Sequence, residues 1–398
     1  MTIVDDAAQD VIFDTRTNRL SRAIFIKGNA LRPTAEVIRE YNEVPSRVSE
    51  MLMHHEGVCF SVYGENVIIP VLLRTYGATG LLNLLEQSAI KFCLETTGVV
   101  FWEVERTGLF PLAPMQLTDP THTDPEASIH PFFSGTTIEF EAKARHSLKR
   151  ALADAYVQPA VSFAPGAVEF AYQSYRLGRL KRWCLHGDKS LEHLDRTERA
   201  ALADVANEMH NLSVIAALKM HTLDDYTIGQ LCDDSIDRLE RARRLENGTR
   251  QVFAIEGIPS LKELFAANQQ NMRAVPRMRM SQSARNFRKW MRDTTADRFA
   301  GEISEHYLNS ISSESGFLRT RPARILKSMA VSAVSSAVGA GVAGIPGAIT
   351  GALGSKIVEV GVDVVVDQLD KLILQRLLHG WRPRHYISKL KKHLDPSR

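Results

Sequence analysis

The sequence predicts an α+β protein: a small N-terminal α/β module, then a mainly α-helical body that ends in a glycine-rich helical hairpin. Three observations carry that prediction. Runs rich in β-branched and aromatic residues cluster near the N-terminus. Residues 107–135 hold five prolines among Thr and Asp, which marks a connection. Beyond it, apolar residues recur with the 3.6-residue period of a helix. The expected divisions are 1–106 for the module, 107–135 for the connection, 136–315 for the helical body, and 316–398 for the hairpin with its basic tail.

In the module, residues 11–13 and 23–27 read as strands, as does GVCFSVYG at 57–64. IIPVLLRTYG and GLLNLLEQ read as two short helices separated by Gly77 and Gly80. Residues 89–95 and 98–105 read as a strand pair joined at 96–98. No G-x-G-x-x-G follows any of these strands, so no nucleotide fold is indicated. In the body, 136–157 reads as a helix, with Thr136 and Glu139 in capping-box spacing. Further helices are expected at 165–184, 197–221, 224–245, 258–267, 281–292 and 295–310. No repeat period emerges, which excludes a solenoid.

Residues 328–355 carry no charge between Lys327 and Lys356. Gly344, Gly347, Gly351 and Gly354 recur there at spacings that let two helices approach closely, and Pro346 marks the break between them. The second helix is expected to run to Leu378, with Gly380 as its stop. The run is long enough for a membrane span. Its Ala, Gly and Ser content, its central break and the following Asp363, Asp367 and Asp370 favour a hairpin buried in protein. A conditional membrane element is the competing reading.

A hydrophobic content of 44% and a charged content of 24% are ordinary for a globular chain. The N-terminus, MTIVDDAAQD, lacks a signal-peptide core. Cys59, Cys93, Cys184 and Cys232 stand singly, so neither a zinc knuckle nor a redox pair is supported, and reduced thiols in the cytoplasm are expected.

Catalytic patterns are weak. Glu139, Glu141 and Lys143, with Asp124 upstream, would suit a magnesium-dependent nuclease if they lay on a strand. The run continues smoothly as a helix, which would separate Glu141 from Lys143. His122, His130, Asp119, Asp124 and Glu126 share the Pro-rich connection and are chemically suited to a metal. His54 and His55 are adjacent and diverge in either a helix or a strand. No catalytic residue, metal ligand or cofactor is assigned from these patterns.

The basic residues say more. Residues 273–292 hold seven positive side chains and no negative one. Arg319, Arg321 and Arg324 precede the hairpin, and Arg382, Arg384, Lys389, Lys391 and Lys392 follow it. Folding the hairpin would gather these two groups into one anion-binding rim, with Trp381 and Tyr386 at its boundary. Such a rim suits anionic lipid headgroups and equally suits nucleic-acid phosphate.

Residues 67–92, SARNFRKWM at 283–291, and 351–387 with its Gly-Trp-x-Pro ending together resemble a group of uncharacterised bacterial proteins of similar length. The resemblance implies no reaction and no catalytic residue. It implies a setting, since such proteins often occur in anti-phage defence. The expected function is a non-enzymatic sensor or adaptor that acts through a protein partner or an anionic membrane surface. The alternative is a metal-dependent nuclease or another nucleic-acid-binding effector.

Overall fold

A computed structural model describes residues 10–26, 33–104, 108–134, 142–159, 161–223, 233–258, 260–295 and 383–394. It is an α+β protein, with a parallel sheet and its helices first and a mostly helical body after. The chain divides into two compact units, Met1–Arg243 with Leu261–Arg279, and Arg244–Ser260 with Met280–Arg398.

The first unit is built on a parallel sheet of β1 (Val11–Asp14), β2 (Gly57–Val62), β3 (Ile90–Leu94) and β6 (Tyr156–Val157), in the order β1-β2-β3-β6. His221 lengthens it past β1: its main chain bonds Val11 and Phe13 at 2.9 and 2.7 Å. Because side chains alternate along a strand, each face of the sheet has its own core. Val11, Phe13, Cys59 and Cys93 face α7 (Ala164–Arg176) and α8 (Arg196–Ala217) in one apolar cluster. On the other parity, Phe60, Phe92 and Tyr156 share one register across three strands, with ring centroids 6.1 and 5.4 Å apart.

Parallel strands need long crossovers. Between β1 and β2 these are α1 (Arg16–Phe25) and α2 (Ala35–His54), and between β2 and β3 it is α3 (Ile69–Glu86). In α2, Val44, Val48, Met51 and Leu52 are buried at helical spacing. Thr34 caps its start by accepting from the Val37 amide at 3.2 Å. Its last carbonyls have no intrahelical partner. Arg279, 2% exposed, meets them: it donates to the main-chain oxygens of Leu52, His55 at 2.7 Å and Glu56 at 2.5 Å. A cation at a helix C-terminus is also favoured by the macrodipole. This contact brings α11 (Gln269–Met280) into the first unit, far from the sheet in sequence. Gly77 interrupts α3 at φ 72° and ψ 173°, as expected from its two-part pattern. Gly80 has a different role: a side chain there would meet Pro276 at 3.3 Å.

Several expectations are corrected. Residues 23–25 end α1 and are not a strand. Residues 89–95 and 98–105 are not a strand pair. β3 is buried in the parallel sheet, and β4 (Thr97–Phe101) instead pairs antiparallel with β5 (Leu112–Gln116). The Pro-rich segment is more than a connection. It supplies β5, the short α4 (Pro120–Thr123) and α5 (Pro125–Ser134), and buries Leu112, Leu117, Ile129 and Phe133. Proline suits the first turn of a helix, where its missing N–H has no partner to lose, and Pro120 and Pro125 sit there. The helix expected at 136–157 is α6 (Ala142–Asp154), and its last residues form β6 instead. The capping-box pair Thr136 and Glu139 lies outside the described residues. α8 does open on a capping box, with Asp195 and Glu198 bonding each other's main chain at 2.9 Å.

The second unit begins within α9 (Asp233–Ile255) and contains α12 (Gln282–Thr295) and the last helix, α13 (Pro383–Leu394). Phe253 stacks on Phe287 at 5.5 Å, and Tyr386 lies 4.7 Å from Phe287. Apart from Thr295, which ends α12, the helix expected at 295–310 lies outside the described residues, as does the hairpin with Gly344, Gly347, Gly351 and Gly354. Among the described residues, no helix is long and apolar enough to cross a membrane.

Candidate functional site

Open sheets of parallel strands place their ligand sites at the strands' carboxyl ends, because loops and helix starts converge there. Here the residues that follow each apolar strand are polar: Asp14 ends β1, Tyr63 and Gly64 follow β2, and Glu95 follows β3. Helices α1 and α4 add Arg22 and His122.

Asp14 is 3% exposed and fully engaged. Its carboxylate accepts from the Thr17 amide at 3.1 Å, the Thr17 hydroxyl at 2.5 Å and Arg47 Nη2 at 3.2 Å. It fastens the start of α1 and one face of α2 to the end of β1. In the last turn of α1, Arg22 Nη1 donates to the Tyr63 main-chain oxygen and pairs with Glu65 at 3.2 Å. Its guanidinium lies 5.3 Å from the centre of the Tyr63 ring. Asn18 and Ser21 share Arg22's face of α1 by i, i+3, i+4 spacing. Both are buried, and among the described residues Asn18 Oδ1 and Ser21 Oγ have no hydrogen-bond partner.

Across the edge, the buried Ser61 hydroxyl donates to the Glu95 carboxylate. His122 Nδ1 lies 2.9 Å from the Glu95 main-chain oxygen, and its ring meets the edge of Tyr63 at 4.4 Å. A carbonyl only accepts, so Nδ1 carries the proton and the neutral ring keeps its lone pair on Nε2. Gly64 makes room: at φ +72°, a side chain there would stand 3.1 Å from Nε2. Burial, and then the Glu95 charge, hold the Tyr63 phenol above its ordinary range, so it stays a donor. The edge therefore offers two acceptors, the Glu95 carboxylate and His122 Nε2, beside the Arg22 fork and the Tyr63 hydroxyl.

The sequence-derived sites fare differently. The acidic residues of the Pro-rich segment shape its own turns. Asp119 accepts from Thr121, Asp124 caps α5 through the Glu126 amide at 3.0 Å, and Glu126 pairs with Lys149 at 2.7 Å. Only His122 of that group turns into the sheet edge. Among the described residues, no three His, Cys, Asp or Glu side chains are placed to hold a metal. Glu139 and Glu141 lie outside the described residues, and Lys143 is on a helix, α6. His55 Nδ1 meets Asp10 at 3.1 Å, at the opposite end of the sheet.

Of the seven cations in 273–292, Arg279 and Arg288 are buried, so that run is not one solvated face. Arg384, Lys389, Lys391 and Lys392 lie on α13. Lys391 pairs with Glu256 at 3.3 Å, and Lys389 and Lys392 are exposed. Tyr386, expected at a lipid boundary, is 3% exposed within the second unit's aromatic core. Arg319, Arg321, Arg324, Arg382 and Trp381 lie outside the described residues. Asp14, Arg22, Tyr63, Glu95 and the role of His122 were not anticipated from sequence.

No family model, curated protein or solved structure matches the chain.

Proposed function

We propose that the protein is a sensor or adaptor whose first unit binds a small, donor-rich polar molecule, such as a nucleoside or a sugar, at the carboxyl edge of its sheet. The observation that carries this reading is the convergence of Arg22, Tyr63, Glu95 and His122 there, with Asn18 Oδ1 and Ser21 Oγ, unpartnered among the described residues, on the same face of α1 as Arg22. Buried polar atoms without partners are costly, so a ligand that satisfies them gains that much in affinity. The arrangement favours binding over covalent catalysis. Ser61 donates a hydrogen bond to the Glu95 carboxylate, and at 3% exposed its hydroxyl is closed to a substrate carbonyl, so it serves as a prop. A setting in bacterial defence enters this proposal through the sequence resemblance alone.

Thermal-shift measurements with adenosine, ribose and spermidine test the ligand class. The proposal expects at least one to raise the melting temperature of the wild type and to leave Arg22→Ala unmoved. No shift with any of the three overturns the donor-rich class.

A further inference from the structure

We infer that the second unit carries a binding face for the phosphate backbone of duplex DNA, formed by the exposed sides of α12 and α13. The two helices pack through Phe287 and Tyr386, whose rings lie 4.7 Å apart. Together they hold eight Lys and Arg residues and one acid, Asp293. Their charges are sorted by burial. Arg288 is 5% exposed and turns inward. Arg285 and Lys289 are exposed and Arg292 half-buried, at i, i+4 and i+7, so they form one stripe along α12. With ~1.5 Å of rise per residue, that stripe is about 10 Å long. Lys389 and Lys392, one turn apart, are exposed on α13.

The surroundings of this charge choose among anionic partners. An amphipathic helix that binds lipid needs an apolar face to bury in the bilayer. The apolar residues of α12 and α13 are already used: Phe287, Met291, Tyr386, Ile387 and Leu390 are all buried. A single-stranded nucleic acid is held by exposed rings on which its bases stack. Here Trp290 is half-buried, 5.9 Å from Phe287. The charges that remain exposed are cationic except for Asp293, and they suit phosphates read without regard to base sequence.

The test is fluorescence anisotropy with a labelled duplex of mixed sequence across a salt series, with flotation on phosphatidylserine vesicles alongside. Five contacting cations predict a slope of log K against log salt of about −4.5 for duplex DNA. The triple variant R285E/K289E/R292E should bind at least tenfold more weakly. The milder R285Q/K289Q/R292Q, which guards against a folding defect, should flatten the slope by about 2.7. A second duplex of unrelated sequence should bind equally. No duplex binding at low salt, binding that the Gln variant leaves unchanged in slope, or vesicle flotation without duplex binding would each overturn the inference.

Discussion

His122 Nδ1 lies 2.9 Å from the main-chain oxygen of Glu95, across two segments joined only by the fold. That bond sets the tautomer of the ring and aims its lone pair at the sheet's carboxyl edge. Nitrogen-15 NMR of histidine-labelled protein, above the pH at which the ring is protonated, should find His122 with the proton on Nδ1 and not on Nε2. The opposite tautomer would remove one of the two acceptors on which the ligand class rests.

Gly64 leaves the space that His122 occupies. Its φ of +72° favours glycine, and an added side chain would stand 3.1 Å from Nε2 and 3.3 Å from Thr121 Oγ1. Gly64→Ala should destabilise the first unit by about 1–2 kcal/mol, the cost of a left-handed residue with a Cβ. It should also displace His122 and weaken ligand binding. Urea unfolding and the thermal-shift assay read the two effects separately. An unchanged urea midpoint would show that the backbone relaxes freely here.

Asp14 holds α1 and α2 to the end of β1 through Thr17 and Arg47. Removing the carboxylate leaves the Arg47 cation, 22% exposed, without that partner. Asp14→Ala should therefore cost about 3 kcal/mol, at the lower end for breaking a buried pair. Asp14→Asn keeps an acceptor for Thr17 and should cost less. Equal losses in the two variants would mean that the charge contributes nothing.

Burial raises the Cys59 thiol from an ordinary 9.0 to about 12. Between those values the unfolded chain has released the proton and the folded chain still holds it. The folded state binds more protons there, so stability falls as pH rises from about 9 to 12, by about 1.4 kcal/mol per unit for this one group. Tyr156, raised by burial to about 12, acts in the same direction. Urea midpoints at pH 8, 9 and 10 should fall progressively, and less steeply in Cys59→Ala. In a Cys232→Ser background, dithionitrobenzoate at pH 8 should label Cys184, which is exposed, and reach Cys59 and Cys93 only on unfolding. Rapid native labelling of Cys59 would contradict its burial.

How much of this was legible in the sequence follows from what each element depends on. β1, β2 and the two-part α3 were readable because local composition decides them: apolar runs end at polar residues or at glycine. α1 was hidden because its buried face carries Thr17, Asn18 and Ser21, which form no apolar stripe. β3 was assigned the wrong neighbour because strand pairing is a property of the whole sheet. A strand buried on both faces belongs in the centre of a parallel sheet, while β4 is half-exposed and suits a hairpin. The site shared that difficulty. Asp14, Arg22, Tyr63, Glu95 and His122 are ordinary residues spread along the chain, and only the parallel register brings their strand ends together. One signal was present: each apolar strand run is followed at once by a polar side chain. The basic residues misled in the opposite way, since Arg279 belongs to the cap of α2 and Arg288 to the interior.

The central claim is that the carboxyl edge of the first unit's sheet binds a small molecule. Native mass spectrometry tests it most directly, on the full chain incubated with the small-molecule fraction of a cell extract. The account predicts one noncovalent adduct of constant mass on the wild type, lost in both Arg22→Ala and Tyr63→Ala while both variants remain folded by circular dichroism. No adduct on the wild type, or the same adduct on both variants, would contradict it.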